Sequence, residues 1–180
     1  GLYKEISGEW YQLQRFSIAG YYAQQVAEVE NNEGAWSIAG TTYSICTQRT
    51  TEERIKSFCS KRAIQAFENA ISLNPENLAN RVNLALTYTN NPPEDNPMKG
   101  VLMLRELNQE EPDNVLVLNA LGRLSIRTGQ FENAIKRLGA ALEADPQNAT
   151  TICLLAQAYE GAGNAEQANA YAEQCRQLRQ

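Results

Sequence analysis

Histidine is absent from the 180 residues, and the four cysteines, Cys46, Cys59, Cys153 and Cys175, show no CxxC spacing. Those two absences remove the usual zinc frameworks and the cysteine–histidine nucleophile arrangements, so no metal or cofactor is expected. The cysteines read as small apolar helix residues. A Cys46–Cys59 disulfide is the alternative, and it would point to an oxidising compartment. No apolar run reaches the roughly 18 residues that a membrane-spanning helix needs. Basic residues are in deficit, 16 against 21 acidic, giving a net charge of -5. That balance argues against a broad electrostatic contact with nucleic acid or anionic lipid. A phosphate-binding loop is missing as well, since Gly161 and Gly163 in EGAGN carry neither the lysine nor the spacing of one and read as a turn.

What is present is a pattern that returns. Over 115–148, Leu118, Leu121, Gly122 and Ser125 fall on one helical face behind a capping Asn114, and Gly122 lets a neighbouring helix come close. ThrGlyGln at 128–130 interrupts the pattern with a glycine suited to a helix end. Phe131 then opens a second amphipathic run through Ala134, Ile135, Leu138, Ala141 and Leu142, and AspProGlnAsn at 145–148 stops that helix and starts the next.

Moving 34 residues on, Ile152, Leu155, Ala156 and Tyr159 precede a GlyAlaGlyAsn turn at 161–164, and Ala168, Ala172 and Cys175 follow it. The ArgGlnLeuArgGln tail at 176–180 makes this last hairpin look like a solvated cap. Upstream, Leu84, Ala85 and Tyr88 pair with Gly100, Leu104 and Leu107 across the helix-breaking stretch 90–97. Trp36, Ala39, Gly40 and Tyr43 pair with Ala63, Phe67 and Ala70, and the link between them is longer than elsewhere. Because TTEERIKSFCSK is good helix material, extra helical turns are expected there. Tyr3, Ile6 and Trp10 followed by Phe16, Ala19, Ala23 and Val26 read as a first hairpin, although one long broken helix would show a similar period. Repeats of this kind cannot bury their apolar faces singly, so the function belongs to the surface the stack creates.

At WSIAGTTY, AIQAFENAISLNP, LGRLS with GQFENAIKRLGAALEADP, and LLAQAYEGAGN, the chain resembles the tetratricopeptide repeat family. The resemblance implies an all-α, right-handed superhelix (an α-solenoid) of about five antiparallel hairpins. Its units run roughly over 1–32, an expanded 33–77, 78–114, 115–148 and 149–180, in one domain over 1–180. It also implies a concave groove, lined by the first helix of each pair, that binds a protein or peptide. Chaperone-binding members of the family use a carboxylate clamp. Here Asn83 matches one clamp position while Ser37, Thr41, Leu116 and Ala120 stand at others, which argues against binding a chaperone's acidic tail.

Catalysis would require titratable groups converging in a dry pocket. The pairs Glu52–Glu53, Glu94–Asp95 and Glu110–Glu111 sit in loops or at helix ends, and Ser57, Ser60 and Lys61 lack an oxyanion motif, so the chain is expected not to be an enzyme. Tyr21, Tyr22 and Trp10 are expected to pack between the first hairpins, with an aromatic patch for a partner as the alternative. The predicted groove residues are Val82, Asn83, Leu86, Asn119, Arg123, Arg127, Gln157 and Glu160. Such a mixed surface suits a peptide bearing a carboxylate, because arginine binds that group with two parallel hydrogen bonds. Intramolecular ion pairs of Arg123 and Arg127 are the competing reading. A structural, self-associating homo-oligomer is the alternative to a groove-binding adaptor. The start at Gly1 in apparent helix favours an envelope or periplasmic protein with an upstream anchor removed over a cytoplasmic one.

Overall fold

Proline and asparagine punctuate this chain in a fixed order. ProGluAsn at 75–77, ProAspAsn at 112–114 and ProGlnAsn at 146–148 each follow a helix end and precede a helix start. Proline fixes the first corner of a turn, which is closed by Asn77 N–H to Asn74 O at 3.3 Å, Asn114 N–H to Glu111 O at 3.2 Å and Asn148 N–H to Asp145 O at 3.2 Å. The asparagine side chain then accepts from the first turn of the new helix, at Ala79, Leu116 and Thr151.

The computed structural model describes residues 1–178, so Arg179 and Gln180 of the polar tail lie outside the described residues. Ten helices form among the described residues: α1 (Leu2–Gln12), α2 (Phe16–Glu30), α3 (Glu33–Arg49), α4 (Glu53–Leu73), α5 (Leu78–Asn90), α6 (Lys99–Glu110), α7 (Val115–Arg127), α8 (Phe131–Ala144), α9 (Ala149–Gly161) and α10 (Ala165–Gln177). Among the described residues there is no strand. The first hairpin is a true pair of helices rather than one broken helix. The charged TTEERIKSFCSK stretch is helical from Glu53 on, which makes α4 the longest helix at 21 residues.

The chain divides into two compact units, Gly1–Met103 and Leu104–Gln180. In the first, Tyr43 and Phe67 are wholly buried with Leu84 and Tyr88 around them, and Trp36 packs among Ala23, Ala27, Ala39 and Ala70. Glycine makes room for the two rings. A Cβ on Gly20 would lie 2.6 Å from the Tyr43 ring, and one on Gly40 would lie 2.7 Å from Phe67. In the second unit Leu138 and Leu155 are sealed, packed with Ala134, Leu154 and Ala158. There Gly122 faces Leu138.

Both pairs of cysteines are joined, Cys46 to Cys59 and Cys153 to Cys175, with S–S distances of 2.03 and 1.91 Å. This corrects the expectation that the four are plain apolar helix residues. The first bond ties α3 to α4, and the second ties α9 to α10. In both cases the two cysteines stand about equally far from the turn of an antiparallel hairpin, so the fold brings them level.

Candidate functional site

Helices α7 and α9 lie side by side, and a polar ladder sets their register. Thr151 Oγ1 donates to Asn119 Oδ1 at 2.9 Å, and Asn119 Nδ2 donates to Asn148 Oδ1 at 3.4 Å. Asn148 is itself anchored by its Nδ2 to Asp145 Oδ2 at 3.0 Å. A buried amide left without partners would cost about 1–3 kcal/mol, so this ladder holds Asn119 and Thr151 firmly in place. Asn119 is therefore committed to the join between the helices.

With the register fixed, Arg123 comes to face α9 across an open recess of about 330 Å³ whose other walls are Thr150, Cys153, Leu154 and Gln157. Arg123 and Gln157 are exposed, while Cys153 and Leu154 form a buried floor. No ion pair to Arg123 exists among the described residues. Its guanidinium is thus not engaged by a carboxylate of the described residues. Thr150 adds a hydroxyl, and Gln157 an amide that both donates and accepts. Glu160 is exposed one turn beyond Gln157 and gives that end an acidic edge. Arg127 is exposed in the last turn of α7. Another cation of this unit, Arg137, is used internally, donating to Ser125 Oγ.

The remaining predicted groove residues stand on α5. Val82 is buried, and Asn83 and Leu86 are half-buried. What holds α5 to α3 is a second polar join, in which Asn77 Nδ2 donates to Glu33 Oε1 at 2.9 Å and Asn80 Nδ2 donates to the same oxygen. Ser44 and Thr87 meet through their hydroxyls at 3.2 Å. Neither join was anticipated from the sequence.

A recess in the first unit also escaped sequence reasoning. It measures about 460 Å³, floored by Ala23 and Val26 of α2 and walled by Lys4 and Tyr11 of α1 and by Ala35 and Ile38 of α3. Its depth comes from small residues, Gly8 and Gly34 among them, whose spacing gives no signal distinct from ordinary helix packing. The carboxylate pairs considered for catalysis, Glu52–Glu53, Glu94–Asp95 and Glu110–Glu111, are exposed, and Glu53 lies 3.6 Å from Lys56 in an ordinary surface ion pair. Among the described residues no group of side chains is disposed to hold a metal ion.

Comparison with known proteins adds three observations. Residues 101–149 and 128–175 each match the tetratricopeptide repeat family. No curated protein matches the chain. Solved structures share its fold: TTC0263, a thermophilic TPR protein in Thermus thermophilus, superposes with a TM-score of 0.70 at 14% identity, covering 98% of this chain and 89% of that one. PilW, a widely conserved type IV pilus biogenesis factor, superposes with a TM-score of 0.62 at 19% identity, covering 98% and 76%. YrrB, a TPR protein with an unusual peptide-binding site, gives 0.52 at 16% identity, covering 98% and 84%. At such identities the likeness is one of fold.

Proposed function

We propose, for a chain that is a tetratricopeptide-repeat protein and hence a protein-interaction scaffold, that its binding site is the α7–α9 recess and that its ligand is a peptide segment carrying a carboxylate. The observation that carries this reading is Arg123, exposed, without an internal acid partner, and placed opposite Thr150 and Gln157. A carboxylate seated on the guanidinium would take two parallel hydrogen bonds, and Gln157 and Thr150 would bond the adjoining backbone. Leu154 and Cys153 beneath offer a small apolar seat for one side chain.

The two disulfides support an oxidising compartment as the place of work, since such bonds persist outside the reducing cytosol. The same reasoning favours an envelope or secreted setting.

Titration of fluorescent peptides ending in a free carboxylate, against the same peptides ending in an amide, tests the reading. Binding should need the free carboxylate and should weaken at least tenfold in Arg123→Glu, a variant at an exposed position that leaves the helix content unchanged. Equal binding of the amidated peptides, or indifference to Arg123→Glu, would discard the recess as the site.

A further inference from the structure

Helix α4 is longer than every other second helix of a pair, with 21 residues against 15 in α2, 12 in α6, 14 in α8 and 13 in α10. Its early turns place Ile55 and Phe58 beside Ile18, Tyr21 and Tyr22 of α2, and an open recess of about 490 Å³ lies between the two helices. Three of these apolar side chains are solvent-exposed, Tyr21 at 50%, Phe58 at 44% and Ile18 at 38%. Tyr22 packs against Tyr3, as expected of a residue between the first helices, but Tyr21 departs from that expectation and faces outward. Single exposed apolar residues need no explanation; a contiguous concave group of them does.

The platform is rigid. Cys59, next to Phe58, is bonded to Cys46 of α3, and the Phe58 ring meets Tyr43 edge-on at 6.1 Å. Tyr21 and Tyr22 are held edge to face at 5.3 Å. Rings fixed in this way lose little freedom when a partner covers them, which favours binding.

Charge selects the partner. Arg54 is the one charged residue lining the recess, and no ion pair to it exists among the described residues. Arg62 stands over the Phe58 ring at 5.6 Å. On a chain of net charge -5 this is a cationic, aromatic spot. Two arginines fall well short of the roughly four to eight clustered cations that hold a protein to an anionic membrane. We infer that the α2–α4 recess docks an acidic amphipathic segment of a partner protein, its apolar side chains on Ile18, Tyr21 and Phe58 and its carboxylates on Arg54 and Arg62. This site is independent of the Arg123 recess, and each is probed by its own variant.

The test is a displayed library of random 16-residue peptides panned on the intact, disulfide-bonded chain, with a Tyr21→Ser, Arg54→Glu double variant used for counter-selection. Arg54 is exposed in the first turns of α4, where a glutamate suits the helix dipole, so Arg54→Glu alone serves as a second, folded variant. The expected result is enrichment of peptides that combine apolar residues at helical spacing with Asp and Glu, bound at least tenfold more weakly by Arg54→Glu and unchanged by Arg123→Glu. Failure to enrich patch-dependent peptides, or enrichment of peptides without acidic residues, overturns the inference. So does sedimentation with phosphatidylserine vesicles that Arg54→Glu abolishes and the peptides do not compete, or a concentration-dependent dimer that Tyr21→Ser dissolves. Those two results would assign the patch to a membrane or to a second copy of the chain.

Discussion

Two units of this molecule solve one packing problem with different side chains. Gly1–Met103 sets aromatic rings into glycine notches, Tyr43 against Gly20 and Phe67 against Gly40, whereas Leu104–Gln180 sets Leu138 against Gly122. Their turns differ in the same spirit. Each of three hairpins has a backbone hydrogen bond that reaches back five residues across its turn, from Arg15 N–H to Trp10 O at 2.9 Å, Gln130 N–H to Ser125 O at 2.8 Å and Asn164 N–H to Tyr159 O at 2.9 Å. The left-handed residue inside that turn is Gly129 or Gly163 in the second unit, at φ 71° and 77°, but Gln14 in the first, at φ 56°. The lesson is that the repeat specifies a volume and a turn geometry, and more than one side chain can meet either.

If volume is what matters, removal of the filling side chain should cost most where it is largest. Phe67→Ala should destabilise the chain by about 4 kcal/mol and Leu138→Ala by about 3 kcal/mol, measured by urea unfolding with the disulfides intact. A Leu138→Ala loss equal to or larger than that of Phe67→Ala would mean that the ring gains less from its notch than the geometry implies.

An alkaline titration sharpens the comparison, because only the first unit hides a phenol at its centre. Burial pushes the Tyr43 hydroxyl up from 10.0 to about 12, with the Arg62 charge opposing the rise and Glu28 and Tyr21 adding to it. The hydroxyl also donates to Gln24 Oε1 at 3.2 Å. Between pH 10.0 and about 12 the unfolded chain releases this proton while the folded chain keeps it. Stability contributed by Tyr43 is therefore complete below pH 10.0 and falls as pH rises through that window, by about 2–3 kcal/mol in all. Tyr43→Phe should flatten this part of the pH profile of urea midpoints. An unchanged slope in the variant would assign the loss to other groups.

The smallest effect concerns the turn. Gln14→Gly should stabilise the first hairpin by less than about 1 kcal/mol, because glycine adopts the left-handed conformation without the Cβ penalty. Thermal unfolding would register it as a rise of a few degrees. A fall would show that the Gln14 side chain contributes more than its backbone conformation costs.

How much of this was legible beforehand depended on whether the signal was local. Helix pairs were, because Trp36, Ala39, Gly40 and Tyr43 repeat the spacing of Leu118, Leu121, Gly122 and Ser125, and all eight prove to be buried. The long α4 was legible from its composition. By contrast, the Cys153–Cys175 bond spans 22 residues and becomes visible only when the turn at Gly163 is taken as the mirror of the hairpin. Asn119 was placed in the groove by periodicity, and its bonds to Asn148 and Thr151 depend on which turn of α9 lies opposite, a quantity that no single helix encodes. Arg123 lies in a recess together with Gln157, as the repeat offset between α7 and α9 suggests, yet the shape of that recess comes from Thr150 and Leu154, which no motif marks.

Asn148 both starts α9 and holds α7 beside it. For anyone shortening or grafting this array, that double duty sets the cutting points. Deleting residues 114–147 would rejoin Asp113 to Asn148 and restore a proline, one residue and an asparagine in sequence, so α9 would keep its first-turn cap from Asn148. Thr151 would nevertheless lose Asn119, its partner in α7. The repeats can be excised cleanly as text and not as energy, and a transplanted α9 needs the asparagine of its former neighbour to travel with it.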